Sequence, residues 1–212
     1  MALVVDCETV AIAGAEAYVQ PARNLVDPEK IAANVAERVA AAALYPWTAR
    51  IVALGWCHET DDVETVRLCN SEAAEATVLR EFWAVVGHDR QDRLVTFNGR
   101  RYDLPLLMLR SMLLGVRYPE LSLDRYRSPH VDLLDKLTWL GNLDSRSLAW
   151  FAKRFGLDTS DAFSGKEVSQ LYEGGNWDAI EAHCASDVRL TRQIAERIGV
   201  LKKRPVVAEW GV

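Results

Sequence analysis

Ala2-Leu3-Val4-Val5-Asp6-Cys7-Glu8 is the stretch from which the fold class is read. Residues 2–7 are apolar and rich in β-branched side chains, the pattern of a buried strand. Side chains two apart in a strand share a face, so Asp6 and Glu8 point one way and Cys7 the other. Two carboxylates together at the end of an apolar strand repel each other and resist desolvation. A divalent cation removes that penalty, and oxygen donors of this kind suit Mg²⁺ or Mn²⁺. Alone, such a D-x-E pair also marks the solvated end of an ordinary strand.

Outward from this strand, Asp27-Pro28-Glu29 opens a helix: Asp caps, Pro takes the first helical position, and Glu favours the dipole. The alanine-rich run carries it to about Leu44, and Pro46 ends it. Arg50–His58 and residues 63–69 read as strands. Ser71 caps a helix to about Val86 with Leu79, Phe82 and Trp83 on one face. Residues 93–97 form a fourth strand, broken at Asn98-Gly99, and Asp103 caps a helix to about Leu114. Helices follow from Ser145 or Ser147 to Phe155, over Ser164–Leu171, and from Asn176 to about Ile198, with Gly156 and Gly199 as stops. Early strands with helices around them give an α/β mixed sheet covered on both faces. The expected organisation is one domain over residues 1–212, with a helical insertion at about 9–48 and a short tail after about 199.

Two further clusters can carry chemistry. His183 and Asp187 lie four apart in the late helix, so they share a face, as an ordinary surface pair also would. In Phe97-Asn98-Gly99-Arg100-Arg101-Tyr102-Asp103-Leu104-Pro105, a strand ends, the chain turns, and a carboxylate begins a helix. A capping carboxylate keeps an oxygen free for a metal-bound water.

The chain is 50% hydrophobic and 26% charged, as soluble globular proteins are. No apolar run approaches the ~18 residues of a membrane span. The N-terminal stretch does not read as a signal peptide. Four scattered cysteines (Cys7, Cys57, Cys69 and Cys184) match no zinc spacing and imply reduced, buried thiols in a cytoplasm. The net charge of −5 argues against tight nonspecific wrapping of nucleic acid. The middle third is nevertheless basic, with Arg100, Arg101, Arg110, Arg117, Arg125, Arg127, Lys136, Arg146, Lys153 and Arg154 available to a phosphate backbone. The tryptophans read as core, with Trp47 a candidate for a site mouth. Asp132 and Asp135 read as local caps.

In this order, D-x-E, N-G-x-x-x-D-x-P and H-x-x-x-D resemble the three exonuclease motifs of the DEDD superfamily. The similarity is greatest to the family B DNA polymerase exonuclease domain and its stand-alone bacterial and phage relatives. It extends to Pro46–Trp56, His130–Leu134 and Ser186–Thr191. One departure is visible: the third motif usually has tyrosine four residues before the aspartate or histidine five before it. Here His183 stands four before Asp187, with Ala182 at the other position.

The resemblance implies a ribonuclease H-like fold and a 3′→5′ exonuclease using two divalent cations, Mg²⁺ or Mn²⁺, ~3.5–4 Å apart. Asp6 would bridge both ions, Glu8 and Asp187 would complete the first, and Asp103 would hold the second through water. His183 would orient or deprotonate the attacking water. Asn98, Gly99 and Tyr102 would meet the terminal nucleotides. The implied substrate is a single-stranded 3′ end, DNA ahead of RNA, and replication or repair proteins are the implied partners. An RNA exonuclease and a non-catalytic nucleic-acid-binding module on the same fold are the alternatives. The presence of all four acids weighs against the second.

Overall fold

A computed structural model describes residues 1–87, 93–160 and 167–202. Strand β1 (Ala2–Ala11) outruns the apolar stretch because its partner stays with it. Strand β2 (Ala49–His58) pairs antiparallel from Leu3 opposite His58 to Ala11 opposite Ala49. The register slips between Glu8 and Thr9, a bulge placed beside the two carboxylates. Strand β3 (Thr65–Leu68) extends the antiparallel side, while β4 (Arg93–Thr96) and β5 (Val131–Asp132) lie parallel on the other. The order β3-β2-β1-β4-β5 is the mixed sheet expected.

Both faces are covered. Leu3, Val5 and Cys7 of β1 pack against Leu79, Phe82 and Trp83 of α2 (Glu72–Val86) and Leu104 and Leu107 of α3 (Asp103–Leu113). A short α4 (Leu133–Leu137) continues β5. On the opposite face Val4 shares a core with Phe151 of α5 (Leu148–Arg154) and with Val188 and Ile194. Val10 meets Val168 of α6 (Glu167–Glu173) and Ile180 of the long α7 (Trp177–Arg197). Each fully buried aliphatic or Phe side chain stabilises by roughly 1.5–3 kcal/mol. The Ser164 start expected for α6 lies outside the described residues.

The capping residues behave as their chemistry requires. Asp27, Ser71, Ser147 and Asn176 each accept a backbone N–H of the first turn they precede. The alanine-rich helix α1 (Pro28–Ala40), however, stops short of Leu44. Residues Ala42–Leu44 tighten into a 3-10 turn instead, because the Thr48 hydroxyl donates to the Ala42 carbonyl at 2.7 Å and holds it out of the α-helical ladder.

Two expectations change here. Arg110 is no phosphate contact: it is buried in a bidentate pair with Glu75, both contacts at 2.7 Å. The same Glu75 carboxylate accepts the Ile51 N–H where β3 no longer covers β2. Arg100 and Arg125 are likewise tied down, both to Asp135. Among the tryptophans, Trp56 and Trp83 are core, but Trp47, Trp139 and Trp150 are exposed. Trp47 stacks on Tyr45 at 5.2 Å between ring centroids.

Candidate active site

The site exists because β4 ends early. It pairs with β1 only from Ala2 to Val4, so β1 continues past it and a crevice opens beside Asp6 and Glu8. Crevices at the carboxyl ends of parallel strands are where α/β sheets place their ligands. A cavity of about 340 Å³ occupies this one. Asp6 and Glu8 enter from β1, Asp187 and His183 from successive turns of α7, and Asp103 from α3. Cys7, Leu44, Phe97, Asn98 and Tyr102 complete the wall.

Glycine 55 sets the depth of α7. It pairs with Asp6, and a Cβ there would lie 2.8 Å from Cys184 Sγ and 2.9 Å from Val188 Cγ2. The bare backbone lets the helix settle onto the sheet beside the carboxylates. Ligating atoms of Glu8, His183 and Asp187 come within 4.8 Å of one another, as do those of Asp6, Glu8 and Cys184. His183 Nε2 is 3.5 Å from Glu8 Oε1.

Asp103 does not cap α3. Tyr102 takes the capping position without a side-chain bond, and Asp103 is the first helical residue. Its Oδ1 accepts instead from Cys7 Sγ at 3.1 Å. Cys7 belongs to the core face with Leu3 and Val5, but it also borders the cavity, and there its thiol meets Asp103 beside Asp6 and Glu8. The Tyr102 hydroxyl meets Thr9 Oγ1 at 2.7 Å and donates to the Ala43 carbonyl. It thereby anchors the 3-10 turn that carries Leu44, while its ring lines the cavity.

Residues outside the motifs brace the turn at 97–103. Asp132 accepts the N–H groups of both Asn98 (2.8 Å) and Arg100 (3.0 Å) besides capping α4, so its role exceeds the local cap expected. Asn98 adopts φ 65°, and these bonds hold it there. A side chain at Gly99 would collide with Thr96, whose hydroxyl takes the Gly99 N–H and lies 2.8 Å from His130 Nε2. Burial pushes the His130 imidazole down to about 4, so it is neutral at pH 7.

The electrostatics test whether cations fit. Burial, then Asp103, Glu8 and Asp187, raise Asp6 well above the carboxylate range. Burial and the acids Asp187 and Asp103 push Glu8 up to about 8. Burial and Asp103 push Asp187 to about 7. Burial lifts Asp103 to about 6 against the Cys7 hydrogen bond. Every charge acting on Asp6 is another acid. Hard divalent cations are the partners such an oxygen-rich cluster fits.

A pH dependence follows for the metal-free protein. Acids raised in the fold bind protons more tightly there than in the unfolded chain. Their stabilisation is complete below about pH 4 and is lost as pH rises through their folded values. His130 and His183, both lowered, act oppositely below about 6.5. Between pH 6.5 and 8 the acids act with little opposition. Melting temperature in EDTA is therefore expected to fall by several degrees across that window, and Glu8→Gln should flatten the fall. A flat wild-type profile in EDTA would contradict the arrangement.

The five-stranded mixed sheet with helices on both faces is a ribonuclease H-like fold. The chain belongs to the family described as "Predicted 3'-5' exonuclease related to the exonuclease domain of PolB", whose model matches residues 44–202. Among solved structures, it resembles the family B DNA polymerase of the archaeon Pyrobaculum calidifontis at 21% identity and TM-score 0.64, over 93% of this chain and 24% of the polymerase. It also resembles exonuclease I, in one structure at 12% identity and TM-score 0.54, over 95% of this chain and 41% of that one. A zinc-bound complex of the E. coli enzyme with single-stranded DNA matches at 14% identity and TM-score 0.55, with the same coverage. The chain thus spans well under half of these proteins. No curated protein matches it. Among the described residues, no helix is long and apolar enough to cross a membrane.

Proposed function

We propose that this chain hydrolyses single-stranded DNA from its 3′ end, releasing nucleoside 5′-monophosphates with two divalent cations, Mg²⁺ or Mn²⁺. One observation carries the reading: four acids from three separate elements converge on one open cavity, where divalent cations would relieve their mutual repulsion. When bound, the cations supply an activated water and stabilise the departing 3′ oxygen. Asp6, Glu8, Asp103 and Asp187 hold them. Asn98, Gly99 and Tyr102, on the braced turn, meet the terminal nucleotide. The DNA-bound relative favours DNA over RNA as substrate.

His183 is the proton acceptor in this reading. It is 1% exposed, and burial lowers its pKa despite the opposing influence of Glu167, so the ring is neutral at pH 7 to 8. It lies one helical turn from Asp187, within reach of a water between them. His183→Ala should lose at least tenfold in rate at saturating Mn²⁺, within the ~10²–10⁴-fold range of general acid–base groups. His183→Tyr should retain more than Ala, because a hydroxyl at this position still orients water. Equal rates for wild type and Ala would remove the histidine from the mechanism.

The function itself is tested with 3′- and 5′-labelled single strands of DNA and RNA in Mg²⁺, Mn²⁺ or EDTA. Expected is stepwise loss from the 3′ end of DNA, faster than from blunt duplex and abolished by EDTA. A ladder beginning at the 5′ end, or nicks in a circular single strand, would refute it. Preferential digestion of the RNA strands would reassign the substrate.

A further inference from the structure

We propose that an aromatic row running from the cavity to the surface of α5, Phe97–Phe151–Trp150, carries the strand upstream of the scissile bond; this rests on the exonuclease reading above. Phe97 lines the cavity. Its ring meets Phe151 edge-on at 6.0 Å, and Phe151 meets Trp150 edge-on at 5.0 Å. Phe151 is buried, whereas Trp150 is 45% exposed. The row therefore leaves the catalytic cavity and surfaces at an indole.

Packing alone does not require Trp150 to be large and apolar there. The α5 contribution to the core beneath it comes from Phe151 and Ala152, with Leu148 packed against them, and does not include Trp150. An exposed indole costs solubility, and every nucleobase has a face that stacks on one. The charge nearby matches a phosphate backbone. The Arg154 guanidinium stands over the Trp150 ring at 6.0 Å. Lys153 and Arg146 are exposed on the same helix and its approach. Unlike Arg100, Arg110 and Arg125, Lys153 and Arg154 are in no described ion pair, and Arg146 has only an exposed 3.5 Å contact with Asp144. Alternating aromatic and cationic groups, continuous with a cavity that binds the 3′ end, is the pattern of a sequence-tolerant single-strand track. The cavity would hold the end itself. Trp150 would stack on a base further upstream, with Arg154 at the adjoining phosphate.

The test is binding, measured by fluorescence anisotropy of 5′-labelled DNA in Ca²⁺, with a trinucleotide and a dodecamer compared. A trinucleotide is too short to occupy both cavity and α5, so the track appears as the gain in affinity with length. Trp150→Ala should reduce that gain about tenfold, within the range for base stacking on an aromatic. Trp150→Phe should restore part of it. Arg154→Gln, which leaves the apolar row intact and tests the track should the Trp variant fold poorly, should lower the salt dependence of dodecamer binding by about 0.7 per charge. An unchanged length gain in Trp150→Ala, or an unchanged salt slope in Arg154→Gln, would overturn the track. Loss of length gain in a protein whose wild type binds DNA but never cleaves it would uphold the track and refute the nuclease reading. Failure of the wild type to bind the dodecamer would refute both.

Discussion

Replacing Asp6 by asparagine is expected to reduce nucleotide release by more than ~10²-fold. Loss of an outer partner of a metal ligand already costs about 10–100-fold in affinity or activity, and in the proposed site Asp6 is a ligand itself. Shape is conserved and one charge is removed, so the effect reports ligation rather than folding. The metal-free variant should melt above the metal-free wild type at pH 8, because Asp103, Glu8 and Asp187 each repel the Asp6 charge. The rise in melting temperature on adding Mn²⁺, large in wild type, should shrink in the variant. Release at the wild-type rate, or an undiminished Mn²⁺ shift, would remove Asp6 from the site.

A comparable loss is expected from Gly55→Val, although residue 55 has no group that could touch substrate. Valine suits a strand, but its Cβ has Cys184 Sγ at 2.8 Å and Val188 Cγ2 at 2.9 Å. Overpacking of this kind costs about 1–3 kcal/mol. The helix must lift, and it carries His183 and Asp187 on the turns that contain those two contacts. A displacement of about 1 Å in catalytic groups costs ~10²-fold. Activity should fall by that order, and the Mn²⁺ concentration for half-maximal rate should rise. Gly55→Ala should show a smaller loss that Cys184→Ala partly reverses, since the second change removes the nearer obstacle. Independent, additive losses in the double variant would show that Gly55 does not set the helix position.

Much of this was legible from local rules. Strand alternation put Asp6 and Glu8 on one face, and helical spacing put His183 beside Asp187. The caps Asp27, Ser71 and Asn176 read correctly because a cap depends on its own first turn, and Ser147 is the one of two candidate serines that caps α5. What escaped depends on partners distant in sequence. Asp103 resembled a cap by every local criterion, but a thiol 96 residues earlier claims its carboxylate. Asp132 did cap its helix, and its second duty to Asn98 and Arg100 needed the β4–β5 pairing to be known. Gly55 is an unremarkable strand glycine until the register sets it opposite Asp6. Arg110 looked like a surface cation because its partner lies on another helix.

That partner, Glu75, also lets β2 run on after β3 has left it. Beyond the last pairing with β3 the Ile51 N–H is buried, and a buried donor left unpaired costs about 1–3 kcal/mol. A fully buried carboxylate, itself locked by Arg110, takes that N–H. The ion pair thus stands in for the length of strand that β3 lacks, and α2 can pack where more sheet would otherwise be needed.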